Sequence, residues 1–261
     1  MLLVAGSSSS RKGTASASSC VLATNTPTRH NPPPLVDRAL EFRHRAQRPK
    51  RGRSAYAERV VVPLPGSRSW VIVPIKRFSD AKKRLVGFLT ADEREILARS
   101  MAERVLLAAN GLPVIVVTDD DDVTTWAASH GAAVIRDVEG GGLNGAVRSG
   151  VDAARRKGAE SVIVVHADIP LAASLDRFAK GPSSAATIVP DVRYDGTNVL
   201  VLPADAAIEF SYGTGSFALH YRAILRAGLD VIVAPDHLLG ADVDHPRDLS
   251  IARTAGLWPV G

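Results

Sequence analysis

Two acidic residues stand where the chain could do chemistry. Asp168 follows the stretch SVIVVHADIP (residues 161–170), in which the unbroken branched run 162–165 reads as a buried parallel strand that opens into a polar turn. Asp168 falls just past the carboxyl end of that strand, and Pro170 stops further pairing. Ligands of open α/β sheets bind at that edge. A carboxylate there suits Mg²⁺, which is held by one or two carboxylates together with substrate phosphates. Asp244 lies in Asp242-Val243-Asp244-His245-Pro246, where Pro246 starts a short helix. If the fold brings Asp168 and Asp244 together, they would hold one or two Mg²⁺ ions. If it does not, they are ordinary turn or capping aspartates.

Three further groups fall at carboxyl ends of predicted strands. Lys76, Arg77, Lys82, Lys83 and Arg84 form a basic loop after the first strand. Such a loop suits a polyphosphate, whose charge must be neutralised as it transfers, or else a solvated surface. The Walker A pattern GxxxxGK[ST] is absent, which argues against an ordinary ATPase. The run Gly140-Gly141-Gly142-Leu143-Asn144-Gly145 opens a helix whose N-terminus would favour an anion, with the Asn144 amide placed to meet a base edge; a plain connector would read the same. Thr197, Gly213 and Ser216 combine two hydroxyls with an open backbone near a helix start, which suits a small phosphorylated acid or simple capping. His166, His220 and His245 lack a Ser or Cys nucleophile in a GxSxG-type context and read as supporting or surface residues.

These groups need a scaffold, and the hydrophobic pattern supplies one. Strands are expected at 70–74, 114–117, 133–135, 162–165, 186–189, 197–202 and 230–234. Between them fall a long helix opened by a Thr90–Glu93 capping box and ended at Asn110-Gly111, a short helix at 122–129, and one from the glycine run to Lys157. Further helices are expected at 172–180, from the 210–216 loop to Ala227, and after Pro246. Alternation of strand and helix predicts an α/β fold of three-layer, Rossmann-like type with a mostly parallel sheet.

Bulk properties narrow the field. The sequence pI is about 9.6, yet residues 1–69 hold 12 Lys+Arg against 3 Asp+Glu, while the rest of the totals, 20 against 24, make the remainder mildly acidic. Residues 1–68 are rich in Ser, Arg, Pro and Thr and bury too little apolar surface to order, so a disordered basic leader is expected, ahead of one domain at 69–261. The leader resembles a transit peptide in composition, but a dispensable extension is the favoured reading. It lacks interleaved aromatics, which argues against a nucleic-acid partner. No run of about 18 apolar residues suggests a membrane span. Cys20 is the sole cysteine, which excludes a disulfide framework and fits a reducing cytoplasm.

Seven motifs in order resemble one family. VPIKRFSDAKKRL (73–85), VVTDD (116–120), GLNGAV (142–147), HADIPL (166–171), DGTNVL (195–200), YGTGSFALH (212–220) and DVDHPRDL (242–249) are similar to the phospholactate or phosphoenolpyruvate guanylyltransferases of deazaflavin coenzyme (F-420) biosynthesis. The resemblance spans about residues 70–255. It implies the nucleotide-diphospho-sugar transferase fold and transfer of GMP from GTP to the phosphate of a three-carbon acid, with release of pyrophosphate. It also implies Mg²⁺ on Asp168 and Asp244, the phospho-acid on Thr197, Gly213 and Ser216, the triphosphate on the Lys82/Arg84 loop, and the nucleotide on Gly142 and Asn144. It leaves room for a homodimer.

Three departures stand beside the resemblance: His166, His245 (where the family usually has Thr) and the long leader. The acid, whether phosphoenolpyruvate, 2-phospho-L-lactate or 3-phospho-D-glycerate, would be set by pocket shape. Other readings are nucleotidyl transfer to a sugar phosphate or molybdopterin, against which Pro74-Ile75-Lys76 counts because it replaces the Gly-rich loop with Arg of those enzymes, and a non-catalytic nucleotide- or nucleic-acid-binding protein that uses the leader.

Overall fold

The computed structural model describes residues 68–136, 141–179 and 184–257. The leader expected at 1–68 lies outside the described residues except Arg68. Arg68 is already tied in: its carbonyl accepts from the N–H groups of Glu160 and Ser161, and its guanidinium pairs with Glu160 at 2.8 Å.

Among the described residues, seven strands form one sheet: β1 (Ser69–Pro74), β2 (Val114–Thr118), β3 (Ala133–Arg136), β4 (Ser161–Val165), β5 (Ala185–Pro190), β6 (Thr197–Pro203) and β7 (Asp230–Val233). Their order is β3-β2-β1-β4-β6-β5-β7. All neighbours are parallel except β6, which runs antiparallel to β4 and β5. The chain winds outward from β1 through β2 to β3, then returns to place β4 on the other side of β1. The crevice outside the ends of β1 and β4 is therefore a topological switch point, where ligands bind in such sheets.

The helices are α1 (Ala91–Ala108), α2 (Asp121–Ser129), α3 (Gly142–Arg156), α4 (Ser216–Arg226) and α5 (Leu249–Thr254). The strand period of two sorts the sheet into two cores. Val71, Val73, Val114, Val116, Ile163 and Val165 face α1 and α2, while Ile72, Ile115, Val117, Val162 and Val164 face α3 and α4. That is the expected three-layer arrangement. Thr90 accepts from the Glu93 N–H and Glu93 returns the bond, so the capping box starts α1 as predicted.

Two departures are informative. The helix expected at 172–180 is only a 3-10 turn, Asp176–Phe178. Ile169, Ala172, Leu175 and Phe178 are all buried, and this spacing of three imitates helical periodicity while the backbone satisfies itself elsewhere: the Leu175 N–H donates to the carbonyl of Ala108, and Ser174 accepts from Asp176. A third apolar cluster was not anticipated. Leu85, Leu89, Leu97, Met101, Val243, Leu249 and Ala252 pack together, joining the basic loop, α1 and α5 outside the sheet.

Candidate functional site

A shared cation requires that Asp168 and Asp244 meet. Asp168 leaves the end of β4, and Asp244 lies in the segment leading into α5. Lys82 Nζ donates to both, at 2.7 Å to Asp168 Oδ2 and 3.1 Å to Asp244 Oδ1. Backbone contacts hold the pair in register. The Val243 N–H reaches the Asp168 carbonyl at 3.4 Å, and Asp248 Oδ2 accepts from the N–H groups of Asp244 and His245 at 3.1 and 2.7 Å. The third apolar cluster explains the convergence, because it buries Leu85 of the basic loop against Val243 beside Asp244.

Lys82 has φ +54°, a left-handed backbone seldom adopted by a residue with a Cβ. This turn aims the side chain inward, where only 8% of it is exposed. Burial would lower the ammonium pKa, but the two carboxylates more than offset it and hold the group above its ordinary value. Burial likewise works to raise Asp168, and the charge of Lys82 pulls it below the usual carboxylate range. Asp242, next to the pair, is pushed up to about 6 by burial and by the charges of Asp168 and Asp244.

The remaining basic residues divide. Arg84 lies 3.4 Å from Asp244 Oδ2 and is largely exposed. Arg77 bonds Asp120 at 2.8 Å, and Asp120 also caps α2 by accepting from Val123, so Arg77 braces the loop against the end of β2. Lys83 pairs with Asp80 on the surface. Lys76 lines two adjoining cavities. One, of about 280 Å³, is bordered by Arg77, Lys82, Leu143, His166 and Asp168. The other, of about 350 Å³, is bordered by Thr118, Asp119, Gly142, Leu143 and Ala146. Gly142 begins α3 with φ +62° and lines the second cavity. Gly140 lies outside the described residues.

The structure assigns Asn144 a contact the sequence did not suggest. Its Oδ1 accepts from the N–H of Tyr212 at 2.6 Å, tying the start of α3 to the glycine-rich loop before α4. That loop carries Gly213, with φ +123°, and Ser216, buried as the first residue of α4. Thr197 is fully buried at the start of β6, and its Oγ1 lies 3.0 Å from Nδ1 of His220 on α4. Asp195 accepts from the Gly215 N–H through its side chain and from Phe217 through its carbonyl. Thr197, Gly213 and Ser216 thus share one corner, and the Tyr212 ring connects that corner to His166 at 5.2 Å between centroids.

Supporting roles escaped the sequence reading. Asp248 was legible as an acidic residue four positions after Asp244, and Asp120 as the second aspartate of VVTDD. Nothing in the sequence paired Asn144 with Tyr212.

Among the described residues, no three His, Cys, Asp or Glu side chains form a metal cluster. Asp168 and Asp244 nevertheless fit a single cation, since one ammonium already reaches both. In addition, Asp168 Oδ1 is buried without a hydrogen-bond partner.

Comparison with known proteins settles the kinship. The family described as "Guanylyl transferase CofC like" matches residues 69–253. The chain belongs to this family. A phosphoenolpyruvate guanylyltransferase of Sphaerobacter thermophilus is 37% identical over 197 residues, covering 73% of this chain and 94% of that protein. A 2-phospho-L-lactate guanylyltransferase of Methanocaldococcus fervens is 31% identical over 181 residues, covering 69% and 82%. A nucleotidyl transferase structure from Methanothermobacter, at 20% identity, superimposes with a TM-score of 0.54 over 72% of this chain and 96% of its own. A nucleotide-diphospho-sugar transferase-like structure from Desulfovibrio desulfuricans, at 18% identity, gives 0.53 over 71% and 86%. The guanylyltransferase kinship and the fold expected from the seven motifs are therefore met, and the chain is an enzyme of the nucleotidyltransferase class.

Proposed function

We propose that this CofC-like enzyme transfers GMP from GTP to the phosphate of a three-carbon phospho-acid, with phosphoenolpyruvate as the acid, in coenzyme F-420 biosynthesis. An oxygen of the acceptor phosphate attacks the α-phosphorus of GTP, the bond between that phosphorus and the α–β bridging oxygen breaks, and pyrophosphate leaves. The acceptor is already an anionic nucleophile, so positioning and charge neutralisation suffice and no protein base is required. A divalent cation, Mg²⁺ in the cell, would be held by Asp168 and Asp244 and would supply charge neutralisation at the transferring phosphoryl group.

The protein's own residues divide the remaining tasks. Lys82 and Lys76 face the cavity at the end of β1, where a triphosphate would lie. Arg84 stands beside Asp244. The cavity bordered by Gly142 and Leu143 has room for the nucleoside, and Asn144 follows Leu143 in α3. The corner of Thr197, Gly213 and Ser216, next to the N-terminus of α4, favours the acid's negative charge. Phosphoenolpyruvate is preferred because the relative at 37% identity carries that name, whereas the 2-phospho-L-lactate enzyme stands at 31%.

The observation that carries this reading is the meeting of two remote carboxylates on one ammonium that borders the cavity. Among the described residues no helix is long and apolar enough to cross a membrane. A cytoplasmic enzyme is the proposed location, with which Cys20 as the sole cysteine is compatible. The test is pyrophosphate release from GTP with phosphoenolpyruvate, 2-phospho-L-lactate or 3-phospho-D-glycerate in separate reactions, followed by product mass. Asp168→Ala is expected to abolish release while the protein stays folded; unchanged turnover in that variant would refute the assignment.

A further inference from the structure

The proposed cation site is filled by the protein itself. Lys82 Nζ stands between Asp168 and Asp244 and donates to both, and Arg84 lies 3.4 Å from Asp244, so the basic loop opposes the two carboxylates with two positive charges. Divalent cations such as Mg²⁺ bind carboxylate oxygens at about 2.0–2.1 Å. An ammonium 2.7 Å from one of those carboxylates and 3.1 Å from the other occupies the same gap. Two cations there would repel at close range in a buried setting, where screening is weak.

The lysine is also placed so that it can leave. Its backbone sits at φ +54° at the head of a 3-10 turn, Lys83–Leu85, whose Leu85 is fully buried and whose N–H bonds the Lys82 carbonyl at 2.8 Å. The root of the side chain is therefore fixed. Its tip borders the 280 Å³ cavity with Lys76 and Arg77, where a polyphosphate offers it new anionic partners.

We infer that Lys82 is a built-in counter-ion for the acidic pair, and that a divalent cation enters between Asp168 and Asp244 only as Lys82 moves across to a triphosphate. Cation and nucleotide then bind as one unit, and the free protein resists loading by the cation alone. The inference rests on the nucleotidyltransfer reading, but it concerns binding and needs no turnover.

Mn²⁺ titrated without nucleotide or acid, and followed by its electron-spin resonance, provides the test on the full chain. Wild type is expected to bind it weakly. Lys82→Met keeps the length and burial of the side chain without its charge, and is expected to bind Mn²⁺ at least about tenfold more tightly. Adding Asp168→Asn to Lys82→Met should cancel that gain. A Lys82→Met protein that binds Mn²⁺ no better than wild type overturns the inference.

Should Lys82→Met fail to fold, wild type answers the question through acetylation of Lys82 read by mass spectrometry. Lys82 should be protected in the free protein, exposed at Mn²⁺ concentrations that saturate the site, and protected again when GTP is added. Saturation by Mn²⁺ with Lys82 still protected overturns the inference. Failure of GTP and phosphoenolpyruvate to react would sink the proposed function alone, because none of these measurements involves the acid.

Discussion

Thr197 Oγ1 lies 3.0 Å from Nδ1 of His220, while Nε2 of the same ring is 3.0 Å from the N–H of Ser211. A backbone N–H can only donate, so Nε2 accepts and carries no proton. The proton of the neutral ring therefore sits on Nδ1 and is given to the Thr197 hydroxyl. One buried imidazole thus joins β6, α4 and the loop that carries Gly213.

The first prediction concerns this ring and pH. Burial, followed by the charge of nearby His166, lowers the His220 pKa from 6.5 to about 4. Between those values the unfolded chain binds a proton that the folded one refuses, so stability rises with pH. The contribution is full above about pH 6.5 and is lost as pH falls toward 4. Chemical denaturation across pH 4–7 should show this slope in wild type and a smaller slope in His220→Gln. The variant should also raise the KM for phosphoenolpyruvate more than that for GTP, since Thr197 and Ser211 flank the acid's corner.

Asp248 touches no proposed substrate, yet its carboxylate receives the N–H groups of both Asp244 and His245. Asp248→Ala removes the brace that sets the direction of Asp244. Loss of such a capping bond costs about 1 kcal/mol of stability. The catalytic effect should be larger than that stability loss, with kcat down about tenfold or more, because small misplacements of a positioned group are costly in rate. Steady-state pyrophosphate release and thermal unfolding of the same preparation would separate the two effects.

The sheet and its three layers were readable from the sequence because they rest on local signals, whereas the meeting of Asp168 with Asp244 was implied only by the family resemblance. Branched runs marked the strands, Thr90 and Glu93 marked a helix start, and strand ends gave the acidic residues their edge. What was not readable depended on partners remote in sequence. The segment at 172–180 shows buried residues at intervals of three, which a helix and an irregular wall satisfy alike. The basic loop looked uniform by composition, but its members separate on contact: Arg77 is bound to Asp120, Lys83 to Asp80, Arg84 to Asp244, and Lys82 to both Asp168 and Asp244. Periodicity has no term for such pairings.

Gly150 shows how closely α3 must approach the sheet beneath the site. A Cβ built there would stand 2.5 Å from Ile72 Cγ2 and 2.8 Å from Val117 Cγ2. Both neighbours belong to the buried face of the sheet and have no room to withdraw. Gly150→Ala is expected to destabilise the protein by about 1–3 kcal/mol, as overpacked cores do, despite the higher helix propensity of Ala. Urea denaturation would measure it. A stabilised variant would mean that α3 sits farther from β1 and β2 than described. Because α3 carries Gly142 and Asn144 at its start, the same shift should weaken GTP binding.

Among the described residues, the 2.6 Å bond from the Tyr212 N–H to Asn144 Oδ1 is the one direct hydrogen bond between the start of α3 and the loop of the acid's corner. The two proposed substrate sites are thereby fastened to each other. Asn144→Ala should loosen the Tyr212 loop as well as the helix start, so KM should rise for GTP and for phosphoenolpyruvate together. An Asn144 that served the nucleotide alone would raise the KM for GTP and leave that for the acid unchanged. Asn144→Asp keeps the Oδ1 acceptor but places a negative charge near the bound anions; it should preserve the loop contact while still weakening GTP. Comparing the two variants by calorimetric titration of GTP, with and without phosphoenolpyruvate, separates the tether from the charge: wild type should bind GTP more tightly when phosphoenolpyruvate is present, and this enhancement should vanish in Asn144→Ala and survive, at lower affinity, in Asn144→Asp.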